Sequence, residues 1–139
     1  MKELRNYLKE SFSKRALLDS NVVAEYLSGN SRAKAFFEEH VFSGEMTPVV
    51  SPRVIAELYA FCRNKREEAA LSRWLSAAFD FADDNFEVAS LAGKIKRDSK
   101  LSVPNAMIAS SAIVYKIPLV TTEPSVYTAT GVKTFKPWP

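Results

Sequence analysis

The sequence predicts a single α/β domain built on a central parallel sheet of about four or five strands. Short apolar runs, the pattern of buried strands, alternate along the chain with helical patterns of roughly 10 to 15 residues. The 139 residues are 47% hydrophobic, which is enough for one substantial core but leaves no room for a second domain. Because parallel strands need crossover connections, we expect helices on both faces of the sheet.

The N-terminal segment, residues 1–15, predicts an amphipathic helix. Leu4, Leu8 and Phe12 recur every four residues and form a narrow apolar stripe. We expect this segment to be a helical extension that docks on the domain or on a partner, and residues 16–139 to form the domain itself.

The domain should begin with a short strand over residues 16–18 that ends at Asp19. Ser20 or Asn21 can then act as the N-cap of a helix, and Gly29 should end that helix. A second helix, with Phe36 and other apolar residues at helical spacing, leads to a strand near residues 49–50. The first two predicted strands are thus connected by helices.

The middle of the chain predicts three more helices. The first begins at Ser51-Pro52, an N-cap followed by proline, and its apolar face is expected to carry Val54, Ile55, Leu58, Phe61 and Cys62. The second has Leu71, Trp74 and Leu75 at helical spacing, and a short extended piece around residues 79–82 follows it. Asp84 or Asn85 should cap the third, which carries Val88, Ala92 and Ile95 and ends in a basic cluster.

The C-terminal part predicts a buried helix and two strands. The helix opened by Pro104 and Asn105 is apolar on all sides, so it should be buried. The continuous apolar strand over residues 119–121, bounded by prolines, is typical of the interior of a parallel sheet. A last strand is expected through Val132 and Phe135.

Composition narrows the classes of protein further. The net charge of +3 mildly favours an anionic partner. A single cysteine, Cys62, excludes an intramolecular disulfide, and seven charged residues within positions 1–15 are unlike a secretory signal. No apolar run approaches the roughly 18 residues needed to cross a bilayer. We therefore expect a cytoplasmic protein with no membrane partner.

Four oxygen-bearing side chains should meet at one edge of the sheet. Asp19 and Glu123 each follow an apolar strand, and ligand sites of parallel sheets lie at the carboxyl ends of the strands. Glu57 falls within the apolar face of its helix, where a carboxylate is costly unless it is paired. Asn105 opens the buried helix. A site of oxygen ligands without histidine or thiolate suits Mg²⁺ or Mn²⁺, and it would suit nucleic-acid phosphates and phosphodiester hydrolysis.

Four motifs carry these side chains: ALLDSNV (16–22), SPRVIAEL (51–58), VPNAMIA (103–109) and LVTTE (119–123). In order and spacing they resemble the acidic motifs of PIN domains, the fold of the VapC-type ribonuclease toxins, over residues 16–137. The resemblance implies a three-layer Rossmann-like fold and a Mg²⁺- or Mn²⁺-dependent endoribonuclease. It also implies frequent homodimers and a small antitoxin partner.

Carried over motif by motif, the resemblance assigns Asp19 and Glu57 to the first two acids and Thr121 to the usual threonine of the last motif. Two positions depart from the family pattern. Asn105 replaces an aspartate and removes a negative charge, so metal affinity should be weakened. Glu123 replaces an aspartate but keeps the charge. We therefore expect five catalytic residues, namely Asp19, Glu57, Asn105, Glu123 and Thr121. The first four of them should also bind the metal.

Each of these positions also has a plain structural interpretation. Asp19 can be a helix N-cap, Asn105 a capping residue and Glu123 a solvated turn residue, while Glu57 can pair with Arg53 one turn earlier. The basic residues near positions 63–66 and 94–100 can contact an RNA backbone or simply be solvated. The leading hypothesis is the ribonuclease toxin of a toxin–antitoxin pair. The alternative is a PIN-like module that binds RNA or a protein partner without cleavage.

Overall fold

The computed structural model describes residues 2–139 and contains a five-stranded sheet surrounded by helices. The strands are β1 (Arg15–Leu18), β2 (Thr47–Val50), β3 (Asp80–Phe81), β4 (Leu119–Val120) and β5 (Thr134–Phe135). The α-helices are α1 (Lys2–Glu10), α2 (Ser20–Leu27), α3 (Ser31–Phe36), α4 (Pro52–Ala60), α5 (Lys65–Ala78), α6 (Phe86–Asp98) and α7 (Val103–Tyr115). A π-helical turn, Phe37–Val41, continues α3, and a 3₁₀-helix, Pro124–Thr130, follows β4.

The sheet has the strand order β3-β2-β1-β4-β5, and every neighbouring pair is parallel. This confirms the predicted α/β class with a parallel sheet. The central strand β1 is flanked by β2 and β4, and its residues 16–18 are completely buried. An uninterrupted apolar run is what a strand covered on both faces requires. The order also brings the ends of β1 and β4 side by side, with Leu18 in register with Val120.

The N-terminal helix packs against the core of the same chain. Leu4 and Leu8 are fully buried, and the ring of Tyr7 lies 5.5 Å from that of Phe135, centroid to centroid. The prediction that Phe12 continues the apolar stripe of this helix was wrong, because α1 ends at Glu10 and Phe12 is fully exposed. Met1, with which the predicted helix began, lies outside the described residues.

Two capping predictions need correction. The N-cap of α2 is Asp19 itself, whose carboxylate accepts from the backbone N–H of Ser20, rather than Ser20 or Asn21. Ser51 stands at the N-cap position of α4 but makes no capping hydrogen bond. Phe61, expected on the apolar face of α4, lies just beyond the helix and is 77% exposed. An N-cap prediction depends on the side chain's other partners, which the local sequence does not reveal.

The most apolar helix, α7, is buried along most of its length, as its composition predicts. It is capped by Ser102, whose hydroxyl accepts from the backbone N–H of Asn105, and Asn105 is therefore in its first turn. Within residues 2–139, no helix is long enough and apolar enough to cross a membrane.

Candidate active site

Asp19 lies at the carboxyl end of the central strand and is only 5% exposed. Its Oδ1 accepts from the backbone N–H of Ser20 at 2.8 Å. Its Oδ2 accepts from the hydroxyls of Thr121 at 2.9 Å and Tyr127 at 3.1 Å. A buried carboxylate is tolerated only when it is hydrogen-bonded, and these three donors meet that requirement. Asp19 is thus both an N-cap and the centre of a polar cluster.

Thr121 reaches Asp19 because β4 runs beside β1. The backbone N–H of Asp19 donates to the carbonyl of Val120 at 2.9 Å, so the two strands end at the same level. The hydroxyl of Thr121 donates to Asp19 and accepts from the backbone N–H of Glu123 at 3.2 Å. Thr121 is therefore in hydrogen-bond contact with the carboxylate of Asp19. Its assignment to catalysis stays a prediction.

Tyr127 is a site residue that the sequence analysis missed. It lies on the 3₁₀-helix after β4 and is buried, and its hydroxyl also contacts Oδ1 of Asn105 at 3.4 Å. Burial raises the pKa of Tyr127 well above its usual range, and the Asp19 carboxylate raises it further while Arg53 opposes the shift. Tyr127 therefore stays a neutral hydrogen-bond donor. No local pattern marked it, because an isolated tyrosine in a turn is ordinary.

Arg53 connects Glu57 to Asn105. On α4, its Nε donates to Oε1 of Glu57 one turn later at 2.6 Å. Its Nη1 donates to Oδ1 of Asn105 on α7 at 2.7 Å. The plain structural interpretation of Glu57, an ion pair with Arg53, is therefore present. The continuation of that pair to Asn105, 52 positions away, is a tertiary feature that helix spacing does not predict.

The five predicted side chains are not equally close. Asp19, Thr121, Asn105 and Glu57 belong to one chain of polar contacts that runs through Tyr127 and Arg53. Glu123 is at the same edge of the sheet, since its backbone N–H donates to Thr121. Its side chain is exposed and makes no hydrogen bond or ion pair within residues 2–139.

The donor chemistry of the site fits a hard divalent cation, because Asp19, Glu57, Asn105 and Glu123 all offer oxygen. The placement of these side chains fits a cation less well than their chemistry does. Among residues 2–139, no group of three or more Asp, Glu, His or Cys side chains is placed to hold a metal ion. Two of the four donors, Glu57 and Asn105, are instead held by the guanidinium of Arg53. The assignment of these residues to a metal therefore stays a prediction.

An open cavity of about 560 Å³, lined more by apolar than by polar surface, lies next to the site. Asn105 forms part of its wall, together with Lys100, Ser102, Ser125 and Thr128. The lysine and the hydroxyls are groups that can contact a phosphate. Of the basic residues singled out in the sequence, Lys100 is the one that lines this cavity.

An apolar groove of about 860 Å³ opens on the surface formed by α2, α4 and α5. Tyr26 and Trp74 stack in its wall with their ring centroids 5.3 Å apart, and the exposed side chains of Leu27 and Phe61 also line it. Exposed aromatic and aliphatic side chains grouped in this way are typical of protein-binding surfaces. The groove is separate from the acidic cluster.

Solved structures with the same fold include proteins of toxin–antitoxin systems. The toxin–antitoxin complex from Klebsiella pneumoniae has a TM-score of 0.76 at 20% identity, over 88% of this chain and 98% of that chain. FitAcB from Neisseria gonorrhoeae has a TM-score of 0.68 at 21% identity, over 88% and 98%. VapBC2 from Rickettsia felis, bound to a DNA fragment from its promoter, has a TM-score of 0.72 at 19% identity, over 90% and 99%. At these identities the likeness establishes the fold.

At the level of sequence, one comparison gives no match and the other identifies a family. A search of curated proteins finds no significant match. The family model of the PIN domain matches residues 16–129, which is most of the chain and includes all four motifs. The buried aspartate at the end of β1, the threonine after β4 and the all-parallel sheet agree with that match. This chain belongs to the PIN domain family.

Proposed function

We propose that this chain is an endoribonuclease of the PIN type and the toxin of a toxin–antitoxin pair in the cytoplasm. The observation that carries the proposal is the Asp19 cluster. A buried carboxylate at the carboxyl end of the central strand is linked to Asn105 and Glu57 by polar contacts through Tyr127 and Arg53. Membership in the PIN family supports the same chemistry.

RNA is the proposed substrate because the cavity beside Asn105 carries polar groups that can contact a phosphodiester backbone. Lys100 supplies a positive charge, and the hydroxyls of Ser102, Ser125 and Thr128 supply donors. A strand bound there would pass directly beside the acidic cluster, since Asn105 belongs to both. The net charge of +3 would favour such binding over the whole surface.

Asp19, Glu57, Asn105 and Glu123 would hold the Mg²⁺ or Mn²⁺ ion, which when bound would polarise a phosphate oxygen and lower the pKa of a water molecule. The chain's own contribution is orientation. Thr121 and Tyr127 hold one oxygen of Asp19, and the Ser20 backbone N–H holds the other, so this carboxylate cannot rotate. A fixed ligand reduces the reorganisation that accompanies binding.

A protein partner is part of the proposal. The apolar groove between α2, α4 and α5 offers aromatic side chains to an apolar segment of an antitoxin. The structure from Klebsiella pneumoniae, which shares this fold, is described as a toxin–antitoxin complex. VapBC2 from Rickettsia felis, with the same fold, is bound to a DNA fragment from its promoter. We also propose a homodimer, as the family resemblance implies. Light scattering of the purified protein, with and without a co-expressed neighbouring antitoxin, tests both.

The proposed activity is tested with single-stranded RNA in the presence of Mn²⁺ or EDTA. We expect slow Mn²⁺-dependent cleavage by the parent protein and faster cleavage after Asn105→Asp, which adds a negative charge to the site. Asp19→Asn is the negative control. Its circular dichroism must match that of the parent, because Asp19 also caps α2. Absence of cleavage by both the parent and Asn105→Asp would overturn the nuclease.

A second function is favoured by one observation. Asn105 is neutral and is bound, with Glu57, to Arg53, an arrangement that stabilises the site without a metal. The chain would then be a PIN module that binds RNA or a protein partner and does not cleave. RNA binding that persists in EDTA, without cleavage in Mn²⁺, is the result expected for this function.

A further inference from the structure

The guanidinium of Arg53 lies between two of the four side chains assigned to the metal. Its Nε is 2.6 Å from Oε1 of Glu57, and its Nη1 is 2.7 Å from Oδ1 of Asn105. Both distances lie at the lower end of what charge-assisted hydrogen bonds show. A fixed positive charge thus contacts the carboxylate of α4 and the amide oxygen of α7 at the same time.

Arg53 is the principal donor to Asn105. Oδ1 of Asn105 accepts from Nη1 of Arg53 at 2.7 Å, whereas the hydroxyl of Tyr127, 3.4 Å away, has one proton and gives it to the nearer Oδ2 of Asp19 at 3.1 Å. The same guanidinium also donates to Glu57, so a cation bound to both oxygens would have to take its place. A divalent ion and the guanidinium repel each other, because both are positively charged. Asp19 has one unfilled acceptor direction, on Oδ1, because its Oδ2 accepts from both Thr121 and Tyr127.

Arg53 is held loosely enough to be displaced. The side chains of Arg53 and Glu57 are 25% and 36% exposed, so water screens their attraction. Arginine that precedes glutamate by one helical turn is also the less favourable orientation of such a pair. The ion pair is therefore partly accessible to water and can break reversibly, unlike a pair that is buried in the core.

We propose that Arg53 competes with a divalent cation for Glu57 and Asn105, and that metal binds this site only when the guanidinium moves away. This inference rests on the proposed metal site but does not depend on cleavage. Arg53 is a regulatory residue here, since it acts by occupying ligand oxygens. In its resting position it also offsets part of the negative charge that Asp19, Glu57 and Glu123 bring to the edge of the sheet.

The competition is tested by titrating the full chain with Mn²⁺ and measuring the free ion by electron paramagnetic resonance. We expect Arg53→Leu to bind Mn²⁺ about tenfold more tightly than the parent, because one positive charge leaves the neighbourhood of a divalent ion. Arg53→Gln, which keeps a neutral donor, should behave in the same way. Adding Asp19→Asn to Arg53→Leu should abolish the gain and so assign it to this site.

The chain contains a matched control. Arg63, which lies just before α5, forms an ion pair with Glu67 four residues later, at 2.8 Å, and neither residue makes a hydrogen bond or ion pair with the side chains around Asp19. Arg63→Leu should leave the affinity for Mn²⁺ unchanged, since its charge is not at the site. Equal Mn²⁺ affinities in the parent, Arg53→Leu and Arg53→Gln, including no binding by any of them, would overturn the competition.

Cleavage measured on the same variants separates this inference from the proposed function. Tighter Mn²⁺ binding by Arg53→Leu without RNA cleavage would support the competition and count against the nuclease. Cleavage by the parent with an Mn²⁺ affinity that Arg53→Leu does not change would support the nuclease and overturn the competition. Urea unfolding of each variant checks that the affinities are compared between folded proteins.

Discussion

The hydroxyl of Tyr127 donates a hydrogen bond of 3.1 Å to Oδ2 of Asp19, 108 positions earlier in the chain. This contact joins the 3₁₀-helix after β4 to the end of the central strand. It also places a neutral donor against a carboxylate that is nearly inaccessible to water. The stability of the site should therefore depend on Tyr127.

Tyr127→Phe keeps the buried ring but removes the donor to Asp19. We expect it to lower the free energy of unfolding by about 1.5 to 3 kcal/mol, the usual range for a hydrogen bond to a charged group. Urea unfolding measures the change. Tyr115→Phe is the matched control, because that hydroxyl donates to the carbonyl of Asp83 in an exposed position. A cost for Tyr127→Phe no larger than that of Tyr115→Phe would contradict the assigned role.

The pH dependence of stability should report the same contact. The folded-state pKa of Tyr127 lies above the unfolded value of about 10, so the folded protein holds this proton more tightly. The resulting stabilisation is complete below the unfolded pKa and is lost as the pH rises through the folded pKa.

The parent should therefore be more stable than Tyr127→Phe below about pH 10. Above that pH, we expect the difference in the free energy of unfolding to shrink by up to about 1.4 kcal/mol per pH unit. Urea unfolding of both proteins below and above that pH measures it. The other tyrosines are present in both proteins, so their ionisation cancels in the difference. A difference that does not vary with pH would mean that Tyr127 ionises equally easily in both states.

Thr121→Val should destabilise the protein although it preserves shape. The substitution removes the donor to Asp19 and the acceptor of the Glu123 backbone N–H. We expect a loss of about 1.5 to 3 kcal/mol in the free energy of unfolding. Thr121→Ser keeps the hydroxyl and should retain more of the stability. If Thr121→Val and Thr121→Ser lower the free energy of unfolding by the same amount, the hydrogen bonds of this hydroxyl do not contribute to stability.

The N-terminal helix should contribute to the stability of the whole domain. Leu8→Ala removes a buried side chain from the core and should cost about 2 to 5 kcal/mol. Phe12→Ala changes an exposed residue of the same segment and should have an effect within about 0.5 kcal/mol. Thermal and urea unfolding compare the two. If Leu8→Ala has as little effect as Phe12→Ala, α1 does not pack on the core in solution.

The sequence predicted much of the fold because its signals are local. The apolar run over residues 16–18, the Ser51-Pro52 helix start and the apolar helix after Pro104 each act within a few residues, and each element is present. The predictions that failed concern exposure and capping. Phe12 and Phe61 follow the apolar spacing, yet both lie beyond the ends of their helices. Helix ends depend on tertiary contacts that the spacing does not contain.

By itself, the sequence determined the α/β class, the parallel sheet and the positions of Asp19, Thr121 and Glu123 at one edge, because strands and their ends follow from the order of apolar runs. Only the tertiary structure decided what those side chains contact. Tyr127 reaches Asp19 because the strand order β3-β2-β1-β4-β5 puts β4 beside β1. Arg53 on α4 reaches Asn105 in the first turn of α7, 52 positions later in the chain. The physical reason is that hydrogen bonds and charge pairs act over a few ångströms in space, whatever the separation along the chain.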